Sequence, residues 1–135
     1  MCLVLEFIPE GSDDCPLVLL SSSKPEKAEK LSQALTPLVT DNNAVVDIHT
    51  LPFVSPVDGC RLSAQVIDED IGAILIGNTK NHFTWELTHQ GWELVLAFLA
   101  PFTKPDRDRL GHQYLGPDDE TGGIFVILSA YYRKW

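Results

Sequence analysis

Asn81-His82-Phe83-Thr84-Trp85-Glu86-Leu87-Thr88-His89-Gln90-Gly91-Trp92-Glu93-Leu94-Val95-Leu96-Ala97-Phe98-Leu99-Ala100-Pro101-Phe102 is the most informative segment of the chain. It is either one long helix interrupted by Gly91 or a short helix that ends at Gly91 and runs into a strand. Glycine just past a helix end supplies the left-handed residue that terminates it, whereas glycine inside a helix costs about 1 kcal/mol relative to alanine. The second reading is preferred: a helix over 82–90 and a strand over 92–100, with Trp92 opening the strand and packing back on the helix as a core residue.

Upstream, residues 3–8 and 17–21 are short apolar runs separated by Pro9-Glu10-Gly11-Ser12-Asp13-Asp14. Their length and the turn residues between them predict an opening hairpin. In Ser23-Lys24-Pro25-Glu26, the Ser23 hydroxyl and the Glu26 carboxylate are spaced for a capping box, and proline is tolerated in a first helical turn. Ala28, Leu31, Ala34 and Leu35 then repeat at helical spacing, with Glu26 and Lys30 four apart, which predicts a helix over 24–36 ending near Pro37. Asp41-Asn42-Asn43 reads as a turn. After it, Ala44, Val46 and Ile48 share one face of a half-buried strand. The proline-framed residues 52–59 read as an ordered loop, and strands near 61–67 and 71–77 flank the turn Asp68-Glu69-Asp70. Residues 71–76, apolar on both faces apart from Gly72, suit a central strand. Residues 103–123, with Pro105, Gly111, Gly116, Pro117, Gly122 and Gly123, read as one long loop, a feature that in a small domain is usually functional or disordered.

Leu87-Thr88-His89-Gln90-Gly91-Trp92-Glu93-Leu94-Val95 resembles a small bacterial domain family of unknown function in which a short helix runs into a Gly-Trp-Glu-Leu-Val strand. The resemblance covers residues 82–135. It implies that a later strand ending in aromatic and basic residues, here 124–135 with Tyr131-Tyr132-Arg133-Lys134, pairs with the first. The insertion 103–122 departs from the family pattern, and no catalytic residue carries over.

The chain has 135 residues, 44% of them hydrophobic and 21% charged, with a mean hydropathy of +0.01, a composition that predicts one folded domain spanning 1–135. Nineteen acids against ten bases give a net charge of −9, opposite in sign to the footprint of a nucleic-acid binder. Residues 1–60 carry −6, residues 61–120 carry −5, and only residues 121–135, with Arg133 and Lys134, are basic. The longest apolar run, residues 94–102, is far shorter than the roughly 20 residues of a membrane-spanning helix. The N-terminal residues lack a basic, cleavable leader, so a cytoplasmic protein is expected. Cys2, Cys15 and Cys60 are odd in number without C-x-x-C spacing, and are read as reduced and mostly buried, with a Cys2–Cys15 bridge as the alternative.

The residues with chemical potential each have a plain structural reading. On a helix, His82, Glu86 and His89 fall on one stripe suited to zinc or iron, but without an H-E-x-x-H signature they read as an exposed polar face, and no metal is expected. Cys60, with His49 or His112 and Asp47 in support, has the makings of a nucleophile but reads first as a buried thiol. Ser21-Ser22-Ser23 precedes a helix without a glycine-rich phosphate cradle, so Ser23 is read as a cap. Neither 68–70 nor 118–120 has the order of a calcium-binding EF-hand.

The fold class expected is α+β, a mainly antiparallel sheet of about six or seven strands with two helices on one face. The function expected is a non-enzymatic acidic protein that engages a basic protein partner, as immunity and antitoxin proteins do. Small size, negative charge, the absence of a catalytic motif and peripheral aromatic residues motivate this reading. The partner-binding candidates are Asp68, Glu69, Asp70, Trp85, Tyr114, Asp118, Asp119 and Glu120, with Trp135 as a further aromatic; no cofactor, nucleic acid or membrane is expected. The alternatives are a small-ligand domain or enzyme with a pocket near His49, Cys60 and loop 103–122, and a homodimeric assembly factor joined through an open sheet edge.

Overall fold

The computed structural model describes residues 3–11, 15–22, 24–104, 111–115 and 124–131. In chain order its elements are β1 (Leu3–Ile8), β2 (Leu17–Ser21), α1 (Pro25–Leu35), the single turn α2 (Pro37–Thr40), β3 (Val45–Asp47), β4 (Val54–Pro56), β5 (Arg61–Val66), β6 (Gly72–Leu75), β7 (His82–Leu87), α3 (His89–Leu99), β8 (His112–Leu115) and β9 (Phe125–Ser129). The class is α+β, with two longer helices, but the strands form two mixed sheets rather than one antiparallel sheet. One has five strands in the order β4-β1-β2-β9-β8, the other four in the order β3-β5-β7-β6. β1 pairs with β4, β2 with β9, and β5 with β7 in parallel. Each parallel pair joins segments distant in sequence, for which no local turn signal exists.

The opening hairpin is present as predicted, with Val4 opposite Ser21 and Ile8 opposite Leu17. Helix α1 buries Ala28, Leu31 and Leu35. Its N-cap is Lys24, one residue later than the capping box predicts and without a side-chain cap, and Ser23 lies outside the described residues. Ser22 takes part instead, its Oγ accepting the Lys24 N–H at 3.1 Å.

The decisive stretch folds in the reverse order: strand first, helix second. Phe83, Trp85 and Leu87 alternate with the half-buried His82, Thr84 and Glu86, the period of a strand with one face on the core. Trp92, Val95 and Leu99 are buried at the three- and four-residue spacing of a helix. Thr88 is the N-cap, its hydroxyl accepting from the Gly91 amide at 3.1 Å. Gly91 therefore lies in the first turn of α3 and not at a helix C-terminus. The strand expected over 92–100 does not exist, and β9 pairs with β2 and β8.

Two further expectations are corrected. Strands β5 and β6 both form but do not pair with each other, because β7 lies between them; β6 is an edge strand and not a central one. Its Ile74 and Leu75 are 39% and 42% exposed, and beyond β7 it makes a single bridge among the described residues, in which the Ile124 N–H donates to the Ala73 carbonyl at 2.9 Å. Strand β8 interrupts what reads as one loop over 103–123, with Leu115 buried.

The buried residues of α1 and α3, Phe102 after α3, and the inward faces of both sheets belong to one apolar cluster. In it the Trp85 and Trp92 rings meet edge to face at 4.7 Å, and the Trp92 indole N–H donates to the Gln65 carbonyl at 3.1 Å. The helices and this cluster occupy the inward face of the four-stranded sheet. Its outward side chains, among them Asp47, Arg61, Ser63, Gln65, His82, Thr84, Glu86 and Ile74, range from half-buried to exposed.

Candidate functional site

The parallel register of β5 and β7 gives the outward sheet face two unlike ends. Arg61 stands opposite His82 at one end and Gln65 opposite Glu86 at the other. Because β3 runs antiparallel, with Val45 opposite Gln65, the turn 41–43 falls at the Glu86 end. The turn 68–70, which leaves β5, and the start of α3 fall there too. His89 joins them, its Nδ1 on the Leu38 carbonyl at 2.9 Å and its Nε2 on Asn42 Oδ1. Residues 41–45, 65–72 and 84–93 thus bring together Asp41, Asp68, Glu69, Asp70, Glu86 and Glu93, and contain no Lys or Arg.

Two of these carboxylates have structural duties. Asp70 Oδ1 accepts from both the Thr88 amide and the Thr88 hydroxyl, each at 2.8 Å, and so fixes the cap of α3. Glu86 Oε2 accepts from Gln65 Nε2 at 2.6 Å. Carboxylates near a helix N-terminus are also stabilised by the partial positive charge there. Asp41, Asp68, Glu69 and Glu93 are exposed.

The predicted residues divide accordingly. Asp68 and Glu69 are surface acids as expected, and Asp70, although exposed, serves the helix cap. Trp85 is fully buried and cannot anchor a partner. The cause is strand parity: on β7 it points with Phe83 and Leu87 into the core. Tyr114 is 36% exposed on β8, with its ring edge-on to His112 at 5.7 Å and to Phe125 at 5.2 Å. Asp118, Asp119, Glu120 and Trp135 lie outside the described residues. Asp41 and Glu93 escaped sequence reasoning, because only the antiparallel return of β3 and the start of α3 bring them to the turn 68–70. No local pattern announces that convergence.

The helical stripe His82, Glu86 and His89 is not formed, since His82 and Glu86 project from β7 while His89 begins α3. Among the described residues no group of three His, Cys, Asp or Glu side chains is placed to hold a metal ion. Nor are the supposed partners of Cys60 poised to activate it. Asp47 accepts from the Ser63 hydroxyl at 2.7 Å, and His49 Nδ1 meets the Leu62 amide at 3.1 Å. The Cys60 thiol is buried, and burial, with a further contribution from the negative charge of Glu6, pushes it up to about 11 from 9.0. That is opposite to the depressed value a nucleophilic cysteine needs. Cys15 is half-buried, and Cys2, the other half of the alternative bridge, lies outside the described residues.

The raised thiol has a measurable consequence. Native Cys60 is expected to resist iodoacetamide at pH 8 and to react once urea unfolds the chain. The neutral thiol is favoured in the folded state, so its contribution to stability is complete below about pH 9 and is lost as pH rises toward about 11. The urea midpoint should fall across that interval more steeply in the wild type than in Cys60→Ala; equal slopes, or rapid native labelling, would show an exposed thiol.

Fold and site together define an α+β protein with two mixed sheets and, among the described residues, a sheet face of half-buried to exposed side chains that ends in a group of carboxylates. The chain matches no family model, no curated protein and no solved structure. Among the described residues no helix is long and apolar enough to cross a membrane.

Proposed function

We propose that this protein is a non-enzymatic binding protein that engages a basic protein partner through the acidic end of the four-stranded sheet, in the manner of immunity and antitoxin proteins. The observation that carries this reading is the convergence of six carboxylates from three separate segments, with no Lys or Arg in those segments, beside a sheet face whose side chains are half-buried to exposed among the described residues. Such a field accelerates encounter with a cationic surface and rejects polyanions, and it weakens as salt shortens the Debye length. Affinity capture from the native host identifies the partner, and association kinetics test the mode. Neutralising Asp68 and Glu69 together (D68N/E69Q) is expected to slow association about tenfold at low salt and leave dissociation nearly unchanged. Neutralising Glu26 and Glu29 on α1 should do little. An affinity that is flat from about 50 to about 500 mM salt, roughly a threefold change in Debye length, would overturn the reading, as would an unchanged association rate or capture of no basic protein.

One observation favours a second reading, self-association. The edge strand β6 exposes Ile74 and Leu75, and an exposed apolar edge is a template for strand pairing. A monomer by sedimentation at about 100 μM, above the micromolar constants of weak dimers, would exclude it. A dimer dispersed by Ile74→Lys would establish it.

A further inference from the structure

At the opposite end of the four-stranded sheet, where it meets β1 of the other sheet, lies a cleft of about 410 Å³. Small-molecule sites usually fall between roughly 300 and 1,000 Å³. Its lining combines the carboxylates of Glu6 and Asp58, the Lys80 ammonium and the Asn81 carboxamide with the apolar walls of Phe7 and Val57. Phe7 is held in place by Phe83, the two ring centroids 4.8 Å apart.

The turn that carries Asp58 is built in detail. Asp58 adopts a left-handed conformation (φ +52°) and is followed by Gly59 at φ +70°. The Cys60 amide closes the turn on the Val57 carbonyl at 3.0 Å. From 23 residues away, Asn81 Nδ2 donates to the Asp58 carbonyl at 2.7 Å. Asp is among the few non-glycine residues that tolerate this region, so the turn holds its place without strain. The Cys60 thiol behind the turn feels the charge of Glu6, so the negative field of that carboxylate extends to the base of the turn.

The charges select the ligand. A simple cation would meet the Lys80 ammonium, a simple anion would meet the Asp58 carboxylate, and a fully polar molecule would leave the Phe7 and Val57 walls unused. We propose that the cleft binds a small zwitterion of the free amino-acid class, with its ammonium group at Asp58, its carboxylate at Lys80 and its side chain against Phe7 and Val57. This site shares no residue with the acidic end and does not depend on the function proposed above.

Amide shifts of the ¹⁵N-labelled protein, followed during titration with free glycine, leucine and phenylalanine, n-butylammonium chloride and sodium isovalerate, test the assignment. Leucine or phenylalanine is expected to saturate at millimolar concentration or below, with shifts at residues 6–8, 57–60 and 80–81. Glycine and the two singly charged probes should bind at least about tenfold more weakly, a difference of one decade in Kd. Asp58→Asn keeps a residue type that tolerates the left-handed turn, and Lys80→Met leaves the backbone untouched. Each should weaken amino-acid binding about tenfold or more, while Asp58→Asn does not weaken isovalerate and Lys80→Met does not weaken butylammonium. The proposal is overturned if no amino acid shifts these residues by about 20 mM, well beyond a millimolar Kd. Zwitterions binding no better than the single charges, or both variants folding and retaining full affinity, would overturn it as well.

Discussion

Trp85→Ala is expected to remove about 3–5 kcal/mol of folding stability, the cost of deleting a large aromatic side chain from a packed interior. Against a typical total of about 5–15 kcal/mol, that leaves a chain that is barely folded or not folded at all. The side chain is wholly inaccessible, lies edge-on to Trp92 and stands between Ala64 and Ala73 on the neighbouring strands. Milder substitutions separate its two chemical parts. The Trp85 indole nitrogen is buried and has no hydrogen-bond partner, whereas that of Trp92 donates to the Gln65 carbonyl. An unsatisfied buried donor costs about 1–3 kcal/mol, which Trp85→Phe recovers. Trp92→Phe instead strands an acceptor. Thermal melts should therefore rank Trp85→Phe above Trp92→Phe, and both well above Trp85→Ala. A Trp85→Ala protein with an unchanged Tm but a lost partner would return this residue to the surface and refute the assignment to the core.

Signals carried by neighbouring residues were legible. Strands β1 and β2 and helix α1 appear where length, turn residues and the Ala28/Leu31/Leu35 repeat place them, and Val46 points inward from β3 as its alternation requires. The inversion over 82–99 follows from the weight that Gly91 carries as a helix terminator. The pattern Phe83-x-Trp85-x-Leu87 has period two, and Trp92, Val95 and Leu99 have helical spacing, so the correct reading was present in the stretch. It lost to a single residue whose meaning depends on which side of it the helix lies. Trp85 reads as a surface residue for the same reason, since a helix gives its side chain a different direction. Other features had no local signal at all. The division into two sheets and the three parallel pairings join distant segments. The edge position of β6 follows from β7 inserting beside β5, not from its own apolar composition. At the acidic end, Asp68 and Glu69 were legible because turn acids are solvated, whereas the contributions of Asp41 and Glu93 arise only from tertiary structure.

Gly91→Val is expected to destabilise the protein by about 2–4 kcal/mol, and Gly91→Ala by about 1 kcal/mol, the values following from two opposed terms. Alanine in a helix is favoured over glycine by about 1 kcal/mol. A Cβ at position 91, however, would lie 2.5 Å from Asp70 Oδ1 and 3.0 Å from Leu87 Cβ. Moving the Asp70 carboxylate away sacrifices its bonds to the Thr88 amide and hydroxyl, worth about 2 kcal/mol together at an exposed site. Close contact therefore outweighs propensity, and the branched valine adds about 1–3 kcal/mol of overpacking. Asp70 is the cause to be tested. In an Asp70→Ala background the nearer obstacle is gone and only the 3.0 Å approach to Leu87 Cβ remains, so Gly91→Ala should cost less or turn neutral, a coupling of at least about 1 kcal/mol in a double-mutant cycle. If glycine were required at position 91 for a left-handed helix end, Gly91→Ala would cost the same with and without Asp70. Additive effects in the cycle would therefore restore that geometry and refute the N-terminal placement of Gly91 in α3.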